Sequence, residues 1–227
     1  MTWHKRAFDV VLASLLLIVL SPVMAYVAYM IWRAQDGPIF YVAPRMKSPT
    51  QTFGLWKFRT MTVVDADSGV SGGDKRARIT ALGARLRIRR LDEFPQLWNI
   101  LKGDMSFVGP RPPLPEYVLR FPNVYGRILK NRPGVTGLAT VRFHKHEARL
   151  LARCRTAKET DVVYARNCVP RKARLDMIYQ RHQSVTYDIL LILETLTTLL
   201  PSMPLRGQSA SVVRGNASPL SAVLTRP

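Results

Sequence analysis

Acid is scarce in this chain: 15 Asp and Glu stand against 34 Lys and Arg, a formal charge of +19 over 227 residues. A surface so short of negative charge calls for an anionic partner, which means nucleic acid, an acidic membrane leaflet or phosphorylated substrates. Cysteine is scarcer still. Cys154 and Cys168 are the only 2, too few for a disulfide framework, and reduced thiols in a cytosolic compartment are expected. A single bridge between them stays open. Histidine is also rare, and "HKH" at 144–146 has no further His or Cys at ligand spacing, which argues against a metal there. No internal repeat is visible.

Charge is absent altogether from Val10 to Trp32, "VVLASLLLIVLSPVMAYVAYMIW". The run is long enough to cross a bilayer, which takes about 20 apolar residues. Its length and the lack of a small-residue cleavage pattern argue against a signal peptide. Two features argue against a simple span. Ser21-Pro22 falls near the centre, where proline removes a backbone donor and kinks a helix. Each half is then roughly 15–17 Å long, about half of a ~30 Å hydrocarbon core. Lys5 and Arg6 precede the run while Arg33 and the basic body follow it, so cytoplasmic positive charge places both ends on one face. A single span and a bent helix dipping into one leaflet both stay open. The bent form frees carbonyls near Ser21-Pro22, which the Ser21 hydroxyl can help to satisfy.

Beyond it, Gly-Pro and Ala-Pro turns bracket a short apolar run at Ile39 to Val42, and Phe53 to Phe58 suggests a second strand of a small hairpin. "VDADSGVSGGDKR" reads as a loop and "ITALGARLRIRR" as an arginine-studded helix. Phe94, Leu97, Trp98 and Leu101 keep helical spacing and predict one buried stripe ended by Gly103. A helix is expected over 115–130, interrupted at Phe121-Pro122, then a turn leading into a short strand at "NRPGVTGLATV". Residues 142–174 are basic and hard to assign. Two helical patterns close the body, and the segment from about 206 onward has no periodicity and is expected to be disordered.

The chemistry concentrates in "RRLDEFPQLWNILKGDMSFVGPRP" at 89–112. Asp92 stands where a helix begins, and taken alone it is a cap for free backbone donors; Pro95 fits a first helical turn. The same place suits a nucleophile. Arg87, Arg89 and Arg90 and the helix end should favour the ionised form, and an ionised aspartate can attack phosphorus. Guanidinium groups and a divalent metal on Glu93 would offset repulsion from an anionic phosphate; hard oxygen ligands beside phosphate point to Mg²⁺. Arg111, between Pro110 and Pro112, is aimed with little entropy left to lose and suits bidentate phosphate binding. Lys57 and Arg59 of "WKFRTM" alternate along a strand and share a face, as a solvated edge or as two more cations of one site. "VVDADSG" at 63–69 has too little apolar sequence before it for a phosphatase-type loop, and Val70 stands where a calcium loop needs glycine.

These blocks together resemble the monotopic polyprenyl-phosphate phosphoglycosyl transferases, or bacterial sugar transferases, in their minimal form. "KRAFDVVLA" with "LSP", "DGPIFY", "WKFRTM", "ARITALGARLR", the 89–112 stretch and "RPGVTGLA" carry the resemblance over residues 4 to about 140, and it resumes at 170–188. It implies an α+β, mainly helical fold. A re-entrant helix broken at Ser21-Pro22 (residues 1–34) would precede a small β-hairpin, interfacial helices and a catalytic body (35–204), with a tail at 205–227. It implies transfer of a sugar phosphate from a UDP-sugar to undecaprenyl phosphate on the cytoplasmic face of the bacterial inner membrane, the first membrane step of exopolysaccharide, lipopolysaccharide or another glycoconjugate. By the same match Asp92 is the nucleophile, Glu93 binds Mg²⁺, and Arg111 (with Pro110 of its loop) and Arg87 bind phosphate, with Lys57 and Arg59 as a further basic pair. The resemblance leaves room for a homodimer, and larger relatives of this kind carry four spanning helices ahead of the core. "GLATV" departs from the family's Gly-Trp-Ala-Gln-Val at Leu138 and Thr140, and 142–169 matches poorly, so the sugar is left open. Two other readings compete: a membrane-tethered nucleic-acid binder, for which only the arginine helix at 79–90 offers itself, and a bitopic protein with a basic interaction domain. No nucleic-acid partner is expected.

Overall fold

A computed structural model describes residues 2–64 and 73–199. Most of the "DADSG" loop and the expected disordered tail lie outside the described residues.

The uncharged run forms helix α1, Trp3–Ala34, started by Thr2, whose hydroxyl accepts the Lys5 N–H at 3.4 Å. It is the one described helix long and apolar enough to cross a membrane. Helical structure is continuous through Ser21-Pro22, with Pro22 inside the helix. Pro22 has no N–H for the Ile18 carbonyl four residues back, and the Ser21 hydroxyl donates to that carbonyl at 2.8 Å, so the missing rung is replaced.

Both ends of α1 pack on the same body. Near its start Ala13 joins Ile100, Met105 and Leu191 in one buried cluster; near its end Val27 and Ile31 join Phe58, Leu82 and Leu86 in another. Between them one side of the helix is exposed, Ile18 at 73%, while Leu16, Leu17 and Leu20 stay half-buried against the first cluster. Lys5 pairs with Asp188, and Tyr179 donates to the same carboxylate at 2.6 Å, which ties the helix start to the end of the chain.

Strands β1, Phe40–Met46, and β2, Thr52–Phe58, form the expected antiparallel hairpin, with Phe40 opposite Phe58 and Met46 opposite Thr52. Helix α2, Ala81–Ile88, is capped by Thr80. Helix α3, Gln96–Lys102, ends at Gly103 with φ +83°. Its buried face differs from the expected stripe: Trp98 is 52% exposed while Asn99 and Ile100 are fully buried. The Asn99 amide rolls the helix, because it accepts the Trp56 N–H at 3.0 Å and donates to the Gly54 carbonyl at 2.8 Å on the hairpin backbone.

A short strand the sequence reading lacked, β3, Ser106–Val108, pairs in parallel with β4, Gly134–Thr136. Between them lie α4, Pro115–Arg120, and α5, Pro122–Ile128, divided at Phe121-Pro122 as expected. "LATV" opens a helix instead of extending a strand: α6 spans Leu138–Leu151. The unassigned basic region holds the rest of α6, then α7, Ala157–Val163, a wide turn over Tyr164–Cys168 and the start of α8, Val169–Arg181. Both cysteines are buried and neither is in a disulfide. Helix α9, Val185–Leu199, closes the described chain. The result is a mainly helical α+β fold with an apolar N-terminal helix.

Candidate active site

Helix α2 ends in a left-handed residue, Arg90 (φ +56°), the one non-glycine at positive φ among the described residues. That turn reverses the chain into a short 3-10 segment, Leu91–Glu93, before α3 begins. Asp92 therefore lies ahead of the helix, and its carboxylate caps nothing: among the described residues no hydrogen bond reaches it. The expectation of a helix cap is corrected here. Asp92 is 7% exposed and lines a cavity of about 640 Å³.

Glu93, beside it, pairs with three cations. Its Oε1 accepts from Lys57 at 3.2 Å and Arg111 at 3.3 Å, and its Oε2 from Arg90 at 3.0 Å. Although burial works against its charge, those three cations hold the Glu93 carboxyl far below the usual range. Asp92 is driven the other way. Burial and then the Glu93 charge raise its pKa, and Lys57, Arg87 and Arg90 only partly oppose them. The arginine cluster was expected to favour ionised Asp92; Glu93 takes much of that charge instead.

The guanidinium of Arg87 is anchored through Nε to the Thr60 hydroxyl at 2.9 Å, and Arg87 lines the cavity. Arg111 is held by its loop. Gly109 donates to the Thr136 carbonyl at 2.9 Å and Gly134 to the Pro110 carbonyl at 2.8 Å, so the Gly-Pro-Arg-Pro turn extends the β3–β4 ladder. The crossing is tight enough that a Cβ on Gly134 would stand 2.1 Å from the Gly109 nitrogen, and one on Gly137 would stand 2.2 Å from the Gly109 oxygen. "RPGVTG" is thus the seat of the arginine loop.

Of the residues singled out in the sequence, Asp92, Glu93, Arg87, Arg111 and Lys57 converge on this cavity. Two do not. Arg59 is buried with its guanidinium on the carbonyls of Asp36, at 2.6 Å, and Gln35, at 3.2 Å. The strand ends at Phe58, and Arg59 closes the C-terminal end of α1 instead of sharing a face with Lys57. Pro110 lies behind Arg111, lining a separate small recess with Asp176. Burial pushes the Asp176 carboxyl up to about 7.

The opposite wall was not legible. Helix α6 sends Thr140, His144 and Glu147 into the cavity from one face, at helical spacing. Lys172 of α8 holds Glu147 through both oxygens, at 2.9 and 3.1 Å, and contacts the Tyr164 hydroxyl at 3.4 Å. His144 Nδ1 lies 2.8 Å from the Thr140 carbonyl, a contact that needs the proton on Nδ1. "HKH" was the only local signal, and its second histidine faces Arg171 instead, at 3.0 Å.

A buried carboxylate free of hydrogen bonds, ringed by cations in a cavity of this size, suits attack on a phosphate ester. A family profile described as bacterial sugar transferase matches residues 1–202. The UDP-glucose:undecaprenyl-phosphate glucose-1-phosphate transferase of Escherichia coli K12 is 31% identical over 196 residues, 85% of this chain but 39% of that protein. The UDP-N-acetylgalactosamine-undecaprenyl-phosphate N-acetylgalactosaminephosphotransferase of Aeromonas hydrophila is also 31% identical, over 86% of this chain and 43% of its own length. The exopolysaccharide production protein ExoY of Sinorhizobium fredii matches at 31% over 85% of this chain and 83% of its own. The chain thus spans well under half the length of the first two relatives and most of the third. With that coverage, it belongs to the bacterial sugar transferase family.

Proposed function

We propose that the chain transfers a sugar 1-phosphate from a UDP-sugar to undecaprenyl phosphate and releases UMP, at the start of polysaccharide or glycoconjugate assembly. The observation that carries this is the Asp92 carboxylate, unbonded and facing a cavity lined by Lys57, Arg87, Arg90 and Arg111. In the first step an Asp92 oxygen attacks the sugar-bearing phosphorus. The bond from that phosphorus to the bridging oxygen breaks, and UMP leaves with both electrons. In the second step an oxygen of the lipid phosphate attacks the same phosphorus, breaks its bond to Asp92 and restores the carboxylate. Arg87, Arg90 and Arg111 neutralise charge as it builds on the phosphate oxygens.

Mg²⁺ fits the acidic pair. Glu93 Oε2 accepts a single hydrogen bond and Asp92 none, so adjacent carboxylates offer hard oxygen lone pairs to one cavity. An ion that takes one or two carboxylates and completes its shell with water and phosphate oxygens suits this donor set. Glu93 would hold it, with Asp92 adjacent, and the ion would supply charge neutralisation on the diphosphate.

Anchoring follows from α1. A straight helix of 32 residues would be about 48 Å long, yet both ends rest on one body and Leu15, Ile18, Val19 and Val23 of the middle stay exposed. A helix that enters and leaves one leaflet, on the cytoplasmic face of the inner membrane, fits this better than a span.

Asp92→Asn is expected to abolish UMP release from any UDP-sugar in detergent containing undecaprenyl phosphate, and Glu93→Gln to slow it severely and weaken its metal dependence. Near-normal turnover by Asp92→Asn would rule out the covalent route. Screening UDP-sugars one at a time identifies the donor.

A further inference from the structure

The hairpin carries a second cation to the cavity. Its register sets Tyr41 opposite Lys57 and Arg45 opposite Phe53, so Lys57 and Arg45 leave the same face of the two strands. Both line the cavity. The Met46 N–H donates to the Pro113 carbonyl at 3.0 Å, which stitches the end of β1 to the loop that presents Arg111 and sets the two guanidinium groups near each other.

Their surroundings differ. Lys57, Arg90 and Arg111 share Glu93, and Lys172 has Glu147. Arg45 makes no ion pair with a carboxylate among the described residues, and its Nη1 is buried without a hydrogen-bond partner. Burial first, and the Arg111 charge next, lower its pKa. A guanidinium donor withdrawn from water and left unpaired is costly, and a like charge nearby adds to the cost. An anion between the two arginines offsets the repulsion of their like charges, and the planar fork of each guanidinium suits two oxygens of a tetrahedral phosphate.

We propose that Arg45 is a phosphate-binding residue of the cavity and forms with Arg111 a two-guanidinium clamp on one phosphate group. The chemistry is shared by two sources, the diphosphate of the nucleotide donor and the phosphate of the lipid acceptor, and naming either rests on the transferase reading above.

The test uses the full chain in detergent. Equilibrium binding of inorganic pyrophosphate and of UMP is measured for the wild type, Arg45→Ala and Arg45→Lys. Arg45→Ala should weaken at least one of them by about tenfold or more, with Arg45→Lys between it and the wild type. Kinetics separate the sources. If the donor is clamped, Arg45→Ala raises KM for the UDP-sugar and slows the UMP burst seen without lipid. If the lipid phosphate is clamped, the burst is unchanged and KM for the polyprenyl phosphate rises. Unchanged ligand binding with both KM values unchanged overturns the clamp. Should Arg45→Ala fail to fold, Arg45→Lys carries the test, since it keeps the charge but loses the fork; wild-type binding and KM values for it overturn the clamp equally. Pyrophosphate binding that depends on Arg45 in a protein that turns over no UDP-sugar would keep the clamp and remove the transferase reading.

Discussion

Two carboxylates one residue apart are driven in opposite directions, and the division follows from who owns the cations. Glu93 holds Lys57, Arg90 and Arg111 directly, whereas Asp92 feels Lys57, Arg87 and Arg90 without a hydrogen bond and pays for burial beside a negative neighbour. Opposed environments of this kind assign roles within an acidic pair. The left-handed Arg90 belongs to the same arrangement: its conformation costs roughly 1–2 kcal/mol in a non-glycine residue, and it returns the side chain to Glu93 in the next turn. A pH dependence follows. On the proposed covalent route the ionised carboxylate attacks, so kcat/KM falls as pH drops through the raised Asp92 pKa, and this acid limb lies above the ~3.9 of a free aspartate. Arg87 favours the anion. Arg87→Ala should therefore shift the limb to higher pH, beyond any uniform loss of rate from weaker phosphate binding. A pH–rate profile at fixed ionic strength reads the two effects separately; a limb that stays put or moves to lower pH contradicts the assignment of Asp92.

Among the elements, the β3–β4 pair does the positioning, and it shows why part of the site was hidden in the sequence. The hairpin, the Phe121-Pro122 division and the Gly103 stop were legible because proline, glycine and strand periodicity act locally. The β3–β4 ladder was not, since Ser106 pairs with Gly134 across an intervening pair of helices, and three residues carry too little pattern to announce a strand. Helix α6 was hidden for another reason: beside an apolar face that buries Phe143 and Leu151, it turns Thr140, His144 and Glu147 to a cavity, polar positions that no core pattern predicts. Arg59 misled because alternation predicts a shared face only while the strand lasts. Gly137 is extended, with φ 175°, so it is glycine for space and not for conformation. Gly137→Ala should push the Gly109 carbonyl aside and move the Arg111 loop. A displacement near 1 Å can cost on the order of 10²-fold in rate. Added to Arg111→Ala, the same change should cost little further activity, roughly threefold or less, because both act through one guanidinium. Full additivity in that double-mutant cycle would show that the glycine crossing matters for something other than Arg111.

For the whole molecule the decisive relation is between α1 and the body. Length and composition alone favour a span, and Ser21-Pro22 with the flanking charge brings a dip only level with it. Packing adds a constraint that no sequence window contains. The start of α1 is fixed by Lys5 on Asp188 and by Arg6, which donates to the carbonyls of Ile100 at 2.6 Å and Leu101 at 2.8 Å. Its end is fixed by Arg59 on Gln35 and Asp36, and by Gln35 on Thr80 at 3.2 Å. A helix that crossed the bilayer would have to break one of these sets, since the body cannot lie on both sides. His4 and Asp36 are exposed at the two ends, and the native cysteines are buried, so single cysteines at these positions report topology cleanly. His4→Cys and Asp36→Cys should both be labelled by a membrane-impermeant maleimide in inverted membrane vesicles, and neither in intact spheroplasts. Labelling of His4→Cys from outside, with Asp36→Cys reached only from inside, would establish a span and undo the packing of α1 described above.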